Sequence, residues 1–452
     1  MRALTDPVFD AAGVGAHLSD EALLAAMLAF LRALAEAEEA AGLVPAGTAA
    51  AVATACDPAR FDAAALGRSA ADGGNPAIPL VAALRREVAR IRPEAAPWVH
   101  FGATSQDVWD SARMVCTARA VEAVEAELDG LLHALAHLLA RHGTTVRVAR
   151  TLLRHALPTT LALELATVAD GLLRVRRRLA AARREDLAVQ LGGAAGTRAL
   201  LGARAGEVVA EVARRLGLAA AALPWHVVRD RVQHLAALLT EAAGIAAKWL
   251  GDVALAMQDE VGELAEPARP GKGASSALPH KLNPVDAARA RAAFLEMPGL
   301  LATLHLAALQ EGARGLGAWH AEWRPLARLC VLAGGILRLA RTTAEGLEVD
   351  AERMRANLEA GGGLVFAEAL RAALLPALGA GAGTLVEELC RRSAAEGRPL
   401  AELARAEPAV TAVLDEHALA GVFDPGARFE AAAAMVAELR RRLVEEVGDG
   451  RG

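Results

Sequence analysis

The chain has 452 residues and a formal net charge of −5. That length allows two or three domains with a sizeable core, and the mild charge, with no basic stripe interleaved with aromatics, argues against a nucleic-acid binder. Hydrophobic residues make up 54% of the sequence, with aromatics at 3% and no tyrosine; they are mostly Ala, Leu and Val, and this richness in strong helix formers points to an all-α fold.

No apolar run reaches the ~18 residues of a membrane span. The N-terminal segment lacks the compact apolar stretch of a signal peptide. Cys56, Cys116, Cys330 and Cys390 stand far apart, with no C-x-x-C pair. That spacing argues against zinc and reads as small core residues of a reduced cytoplasmic protein.

Ser19 is placed to cap a helix that opens with Asp20 and Glu21 and stops at Gly42. "GGNPAIPL" (73–80) reads as a turn and a new helix start. Long helices are predicted from near Gln106 to Gly143 and over 159–187, followed by a glycine-rich break, "LGGAAGT" (191–197). From Val227 to Glu266, apolar residues from Val232 to Val261 recur every three or four positions, which predicts one helix of roughly 40 residues. After a loop at 267–283, another helical stretch is predicted to run to about 343 with a kink at Pro298. No segment alternates convincingly as a strand. Stripes this long need partners from other chains, so a bundle built by oligomerisation is expected; an extended monomeric hairpin is the alternative.

Four segments carry chemistry. In "GKGASSALPHKLNP" (271–284), Gly271 and Gly273 permit unusual backbone angles, and Pro279 and Pro284 stiffen the exit. A mobile serine, Ser275 or Ser276, can close over a substrate whose carboxylate is held by Lys281 and Asn283, stabilising the enolate left when a proton departs. A Gly/Ser linker with a solvated lysine is the competing reading. In "VHFGATSQD" (99–107), the Thr104 and Ser105 hydroxyls and the free N–H groups of a helix start make an anion pocket, or Ser105 simply caps the helix with Asp107 favouring its dipole. "ARTLLRHALPTT" (149–160) clusters Arg150, Arg154 and His155. "EGARGLGAWHAEW" (311–323) offers Arg314 as a bidentate carboxylate clamp, with Trp319, His320 and Trp323 as the wall of a planar ligand or as core.

Together these segments resemble the fumarase/aspartase superfamily, whose signature G-S-S-x-M-P-x-K-x-N is answered here by "GASSALPHKLN". "GNPAIPLVAAL", "PWHVVRDR", "DVALAMQDEVGE" and "GLGAWHAEW" are similar to its bacterial lactonising branch, the 3-carboxy-cis,cis-muconate cycloisomerase family. The resemblance implies three helical domains (1–100, 101–345 and 346–452), the central one a long-helix bundle, in a cytoplasmic homotetramer whose sites draw on three subunits. It implies an intramolecular lyase that closes a lactone on a small polycarboxylate in aromatic-compound breakdown, with no metal or organic cofactor. The candidate catalytic residues are Ser275, Lys281 and His155. Thr104, Ser105, Arg154, Ser276, Asn283, Arg314 and His320 are candidate substrate contacts. His155 and His320 both remain candidates for the proton.

Departures from the family pattern carry information. Many superfamily lyases have a Thr-His pair and a glutamate that orients it; here Thr151 precedes Leu152, and Ala288 stands at the glutamate position. Losing both ends of one relay is coherent, and the lactonising branch does the same. Ala274 replaces a glycine and should stiffen the signature loop. Leu282 removes a cation, Arg154 adds one, and Gly312 and Ala313 replace bulkier polar residues. These changes keep open a second reading, a β-elimination lyase acting on a substituted succinate.

Overall fold

The computed structural model describes residues 4–448 apart from 275, 276 and 279. Helices dominate, and the described strands form three two-stranded ribbons, so the fold class is all-α. The first long helix, Asp20–Ala40, begins where Ala22 N–H donates to Ser19 Oγ at 3.2 Å. Leu24, Met27, Leu28, Leu31 and Leu34 bury one face of it. Just before the helix Ala77–Ile91, whose N-cap is Pro76, the buried Asn75 side chain accepts the Ala77 N–H at 2.8 Å. The helices Ser105–Arg141 and Leu161–Glu185 lie close to their expected bounds.

Three expectations are corrected. The helix expected over 227–266 spans Asp230–Ala256. Val232, Leu235, Leu239, Ala242, Ala246, Trp249 and Val253 are buried as the periodicity requires. Beyond Ala256 the chain turns through Gly262 at φ 62°, and Glu263 N–H returns to Ala256 O at 3.0 Å. Met257 and Val261 continued the pattern by chance. The stretch expected to run to 343 is two helices, Val285–Leu306 and Trp323–Glu345, with the short helix Ala318–Ala321 between them. Pro298 lies inside the first without ending it; the break falls in the glycine cluster 312–317.

The third correction is a β-hairpin, Val146–Thr151 antiparallel to Arg154–Thr160. Its turn places Leu152 and Leu153 in the left-handed region at φ 50° and 63°, without glycine or asparagine to signal it. One of its buried residues, Arg147, is charged, which masks the strand pattern.

By its contacts the chain forms two units. One comprises 1–128, 174–247 and 289–339; the other comprises 129–173, 248–288 and 340–452. In the second, Leu370, Leu374, Leu389, Leu400 and Leu403 form one apolar core, and Val148 of the hairpin packs with Leu358, Val365 and Phe366 in another. The four free cysteines are buried or half-buried. No single helix among the described residues is long and apolar enough to cross a membrane.

A fully buried carboxylate holds the hairpin. Glu263 accepts from Arg147 at 2.6 Å, from Arg150 at 2.6 and 3.0 Å, and from Asn357 at 2.8 Å. Burial alone would raise its pKa, yet Arg150, Asn357 and Arg147 bring it below the ordinary value of 4.5. Glu263→Gln leaves Arg150 without its carboxylate and Arg147 with Glu164 alone, at 2.8 Å, and should cost about 3 kcal/mol at pH 7 in urea unfolding. Because the folded pKa is depressed, that difference is present above pH 4.5 and should shrink as pH falls below it. A deficit that persists unchanged at pH 3 would show that the charge is not its source.

Candidate active site

In the first unit, two expected site residues separated by 210 positions meet. Arg314 Nη1–H donates to Thr104 Oγ1 at 2.9 Å, and Arg314 Nε–H donates to Gln106 Oε1 at 2.6 Å. The place of meeting is the N-terminus of the 37-residue helix Ser105–Arg141, where backbone N–H groups and the helix dipole favour an anion. Ser105 is the first helical residue, one position inside the cap. Arg314 is half-buried, and its Nη1–H also faces Ala194 O at 3.5 Å.

Asp107 does more than favour the dipole. Its fully buried carboxylate accepts from Thr104 N–H at 2.9 Å, Gly192 N–H at 3.0 Å, Gly193 N–H at 2.9 Å and His226 Nε2–H at 2.7 Å. The approach demands glycine: a Cβ on Gly192 would lie 2.7 Å from His226 Cε1. Gln106 closes the other side, its amide donating to His226 O at 3.0 Å and to Asp110 Oδ2 at 3.1 Å.

Behind this layer sits a paired set of charges. Arg229, nearly inaccessible, donates to Asp110 at 2.8 and 3.1 Å and to Glu322 at 2.6 and 3.0 Å. Burial would lower its pKa, but these two carboxylates hold it above the ordinary range. Trp319 Nε1–H donates to Asp110 at 3.0 Å, so this tryptophan is a buried anchor rather than a ligand wall. His320 is exposed, meets Gly74 O at 2.9 Å and packs against Trp319 and Trp323.

In the second unit, Ser275 and Ser276 lie outside the described residues, as does Pro279. Lys281 is exposed. Asn283 closes the loop: its backbone N–H and its amide donate to Gly273 O at 2.9 and 3.0 Å. A Cβ on Gly273 would lie 2.7 Å from Asn283 O, so that crossing requires glycine. Ala274 pairs with Leu282 in an extended bridge, a conformation alanine adopts freely, so the expected cost of losing a glycine there does not arise. The loop is anchored by Lys272, whose Nζ meets Asp286 at 2.6 Å and Glu266 at 3.1 Å. Glu266 in turn accepts the Asp286 and Ala287 N–H groups at 3.1 and 2.9 Å, capping the helix Val285–Leu306.

Arg154 and His155 stand exposed on the hairpin's second strand. Partial desolvation, then the charges of Arg150 and Arg154, lower the His155 pKa, which keeps its imidazole neutral and able to accept a proton near pH 7. Among the described residues, no group of three or more His, Cys, Asp or Glu side chains could hold a metal ion.

The structure therefore joins Thr104 to Arg314 in one unit, and carries Lys281, Asn283, Arg154 and His155 on the other. Asp107 as a hub, His226, Gln106, Glu266 and Lys272 were missed as site builders. His226 and Arg229 were visible in "PWHVVRDR", but nothing in one sequence says that a histidine and an aspartate 119 positions apart will meet.

The all-α fold, the meeting of Thr104 and Arg314 at a long helix N-terminus and the loop bearing Lys281 and Asn283 fit the lyase class. Residues 12–299 match the lyase family model, and the chain belongs to that family. It is 44% identical over 438 residues to a 3-carboxy-cis,cis-muconate cycloisomerase of Bradyrhizobium diazoefficiens, covering 96% of this chain and 97% of that protein. It is 42% identical over 442 residues to a nitrosuccinate lyase of Streptomyces davaonensis, covering 96% and 93%. The crystal structure of a 3-carboxy-cis,cis-muconate lactonizing enzyme from Pseudomonas putida superposes with TM-score 0.91 at 42% identity, covering 98% of this chain and 99% of that one. The family expected from the signature loop is the one found.

Glu38 is fully buried, with neither oxygen hydrogen-bonded among the described residues, and a Cβ on Gly102 would lie 3.6 Å from its Oε1. Burial pushes its pKa from 4.5 up to about 9. The folded state thus holds a proton that the unfolded state releases. Stability present below pH 4.5 is lost as pH rises toward about 9. Glu38→Gln should therefore gain on the wild type over that window, at a slope of at most about 1.4 kcal/mol per pH unit in urea unfolding. Parallel pH profiles for the two proteins would mean that the carboxyl is partnered in solution.

Proposed function

We propose that this chain converts 3-carboxy-cis,cis-muconate to 4-carboxymuconolactone. A substrate carboxylate oxygen adds to a carbon of the conjugated diene, closing the five-membered ring, and a proton is delivered to the adjacent carbon. The ionised substrate takes up one proton as one carboxylate becomes the lactone ester, so the acid forms of substrate and product are isomers. The observation that carries the reading is the meeting of Thr104 and Arg314 at an open helix N-terminus, in a chain matched end to end by relatives named as cycloisomerases.

The negative charge that builds on the enolate-like carboxylate is received by the Lys281 ammonium and the second N–H of the Asn283 amide. Arg314, Thr104 and Ser105 hold a remote carboxylate. Arg154 and Ser276 complete the substrate contacts. Ser275 and His155 handle the proton, with His320 the competing imidazole; partial desolvation and the nearby arginines lower the His155 pKa and so keep that imidazole neutral near pH 7.

The same reading includes a homotetramer with shared sites and the division 1–100, 101–345 and 346–452. Helix length supports both: all five helices of 22 or more residues fall between 105 and 345. A reduced, cytoplasmic setting is supported by four unpaired cysteines, two of them fully buried.

One observation favours a second reading. The nitrosuccinate lyase match is nearly as strong as the cycloisomerase ones, and Arg154 supplies an exposed cation on the hairpin. That alternative is β-elimination from a substituted succinate, breaking a C–N bond and releasing fumarate.

Ultraviolet absorption of purified enzyme with 3-carboxymuconate decides between them. Loss of the conjugated-diene band is expected; an unchanged band with fumarate formed from nitrosuccinate would replace the first reading by the second. Lys281→Met should lower kcat by about 10²–10³-fold with little change in thermal stability, and near-normal turnover would remove Lys281 from the mechanism. Mixed tetramers of Ser275→Ala and His155→Asn chains should regain part of the activity that each homotetramer lacks. Verified hybrids with no regained activity would count against shared sites.

A further inference from the structure

The residues that would contact substrate in the first unit do not hold themselves in place, and the group that holds them is His226. It reaches Arg314 by two routes. Through its side chain, Nε2–H donates to Asp107 at 2.7 Å, and the same carboxylate fixes the Thr104 backbone whose hydroxyl accepts from Arg314. Through its backbone, His226 O accepts from the Gln106 amide, whose Oε1 accepts from Arg314 Nε–H. Two of the arginine's three partners are thus set from one residue, 88 positions before it in sequence; the third, Ala194 O, is the longest contact at 3.5 Å.

The imidazole is buried, and its carboxylate partner is inaccessible. Gly192 and Gly193 donate to that carboxylate as well, and Gly192 has no room for a side chain because the imidazole already fills the space. An imidazole clamped this way has a fixed ring plane and a fixed hydrogen on Nε2. Removing it leaves Asp107 one donor short in a place without solvent, and such a carboxylate recruits another donor by shifting Thr104 or the glycine loop. Displacing Thr104 by even an ångström unseats the hydroxyl that orients Arg314, and anion binding weakens before chemistry does.

We propose that the Asp107–His226 pair is a positioning device for the substrate-carboxylate cradle, with His226 acting through Asp107 on Thr104 and Arg314 and touching no substrate itself. This rests on the reading of Thr104 and Arg314 as carboxylate contacts given above. It predicts an effect on binding rather than turnover.

The test uses the full-length protein in its native oligomeric state and tricarballylate, an unreactive tricarboxylate, as the binding probe in calorimetry. His226→Leu should weaken tricarballylate binding about tenfold or more and raise KM by a similar factor, with kcat within about threefold. His226→Gln places an amide N–H at the same distance along the side chain as Nε2–H and should recover binding to within about threefold of wild type. If the leucine variant does not fold, Asp107→Asn against His226→Gln gives the same comparison, with the aspartate variant expected to bind more weakly. Unchanged tricarballylate affinity in the folded leucine variant overturns the proposal. So does a fall in kcat with binding intact, no recovery by glutamine, or a wild type that ignores tricarballylate. A wild type that binds tricarballylate yet leaves 3-carboxymuconate unchanged would sink the proposed reaction alone, and the binding ratios would still decide the role of His226.

Discussion

One buried carboxylate organises the first unit. Asp107 receives hydrogen bonds from Thr104, Gly192, Gly193 and His226, four donors from three separate stretches of chain. Taking a carboxylate out of water is expensive unless its lone pairs are filled, so each donor is held as strictly as the carboxylate itself. That requirement turns a loose collection of loops into a rigid frame around a helix N-terminus. The Thr104 hydroxyl and the Gln106 amide then face Arg314 as a consequence of where Asp107 must sit. On the proposed reading, the carboxylate contacts are ordered before any anion arrives, so ligand binding does not have to supply that ordering.

The second unit repeats the device. Glu263 ties Arg147 and Arg150 of the hairpin to Asn357, and Glu266 ties Lys272 to the start of the helix that follows the signature loop. In both cases a glutamate absorbs backbone or guanidinium donors and leaves a neighbouring exposed group, His155 or Lys281, without a structural duty among the described contacts of its side chain. Glu38 is the counter-example. It is as deeply buried as Asp107 but lacks donors, and it answers by keeping its proton.

Much of this was legible in the sequence where the signal is local. The cap at Ser19, the helix beginning at Ser105 and the break at 191–197 depend on neighbours within a few residues, and they stand where expected. The signature loop named the family because its positions lie side by side. What escaped was non-local or disguised. The hairpin hid because its turn uses two leucines where glycine or asparagine would have announced it, and because Arg147 points inward against a carboxylate supplied 116 residues later. The helix at 230 was drawn too long because Met257 and Val261 continue the apolar period past the turn that ends it. Asp107 read as a dipole-friendly cap residue, since three of its four partners lie 85 or more positions away.

The two reactions weighed for this chain draw on the same physical resource. Lactonisation and β-elimination both pass through a carbon that carries negative charge next to a carboxylate, and both need that charge received by fixed donors. They differ in the group that joins or leaves the neighbouring carbon: a carboxylate tethered within the substrate, or a separate nitrogen-containing leaving group. A frame that only cradles carboxylates serves either. Selectivity must therefore come from groups set apart from that frame, where a charge can be gained or lost without disturbing Asp107 or Arg229. Arg154 on the exposed hairpin strand and Leu282 on the signature loop meet that condition. Both are solvent-facing, and neither has a place in the buried ion network. A change at either position leaves those buried pairs intact, and relatives named as a cycloisomerase and as a nitrosuccinate lyase stand at similar identity to this chain, 44% and 42%.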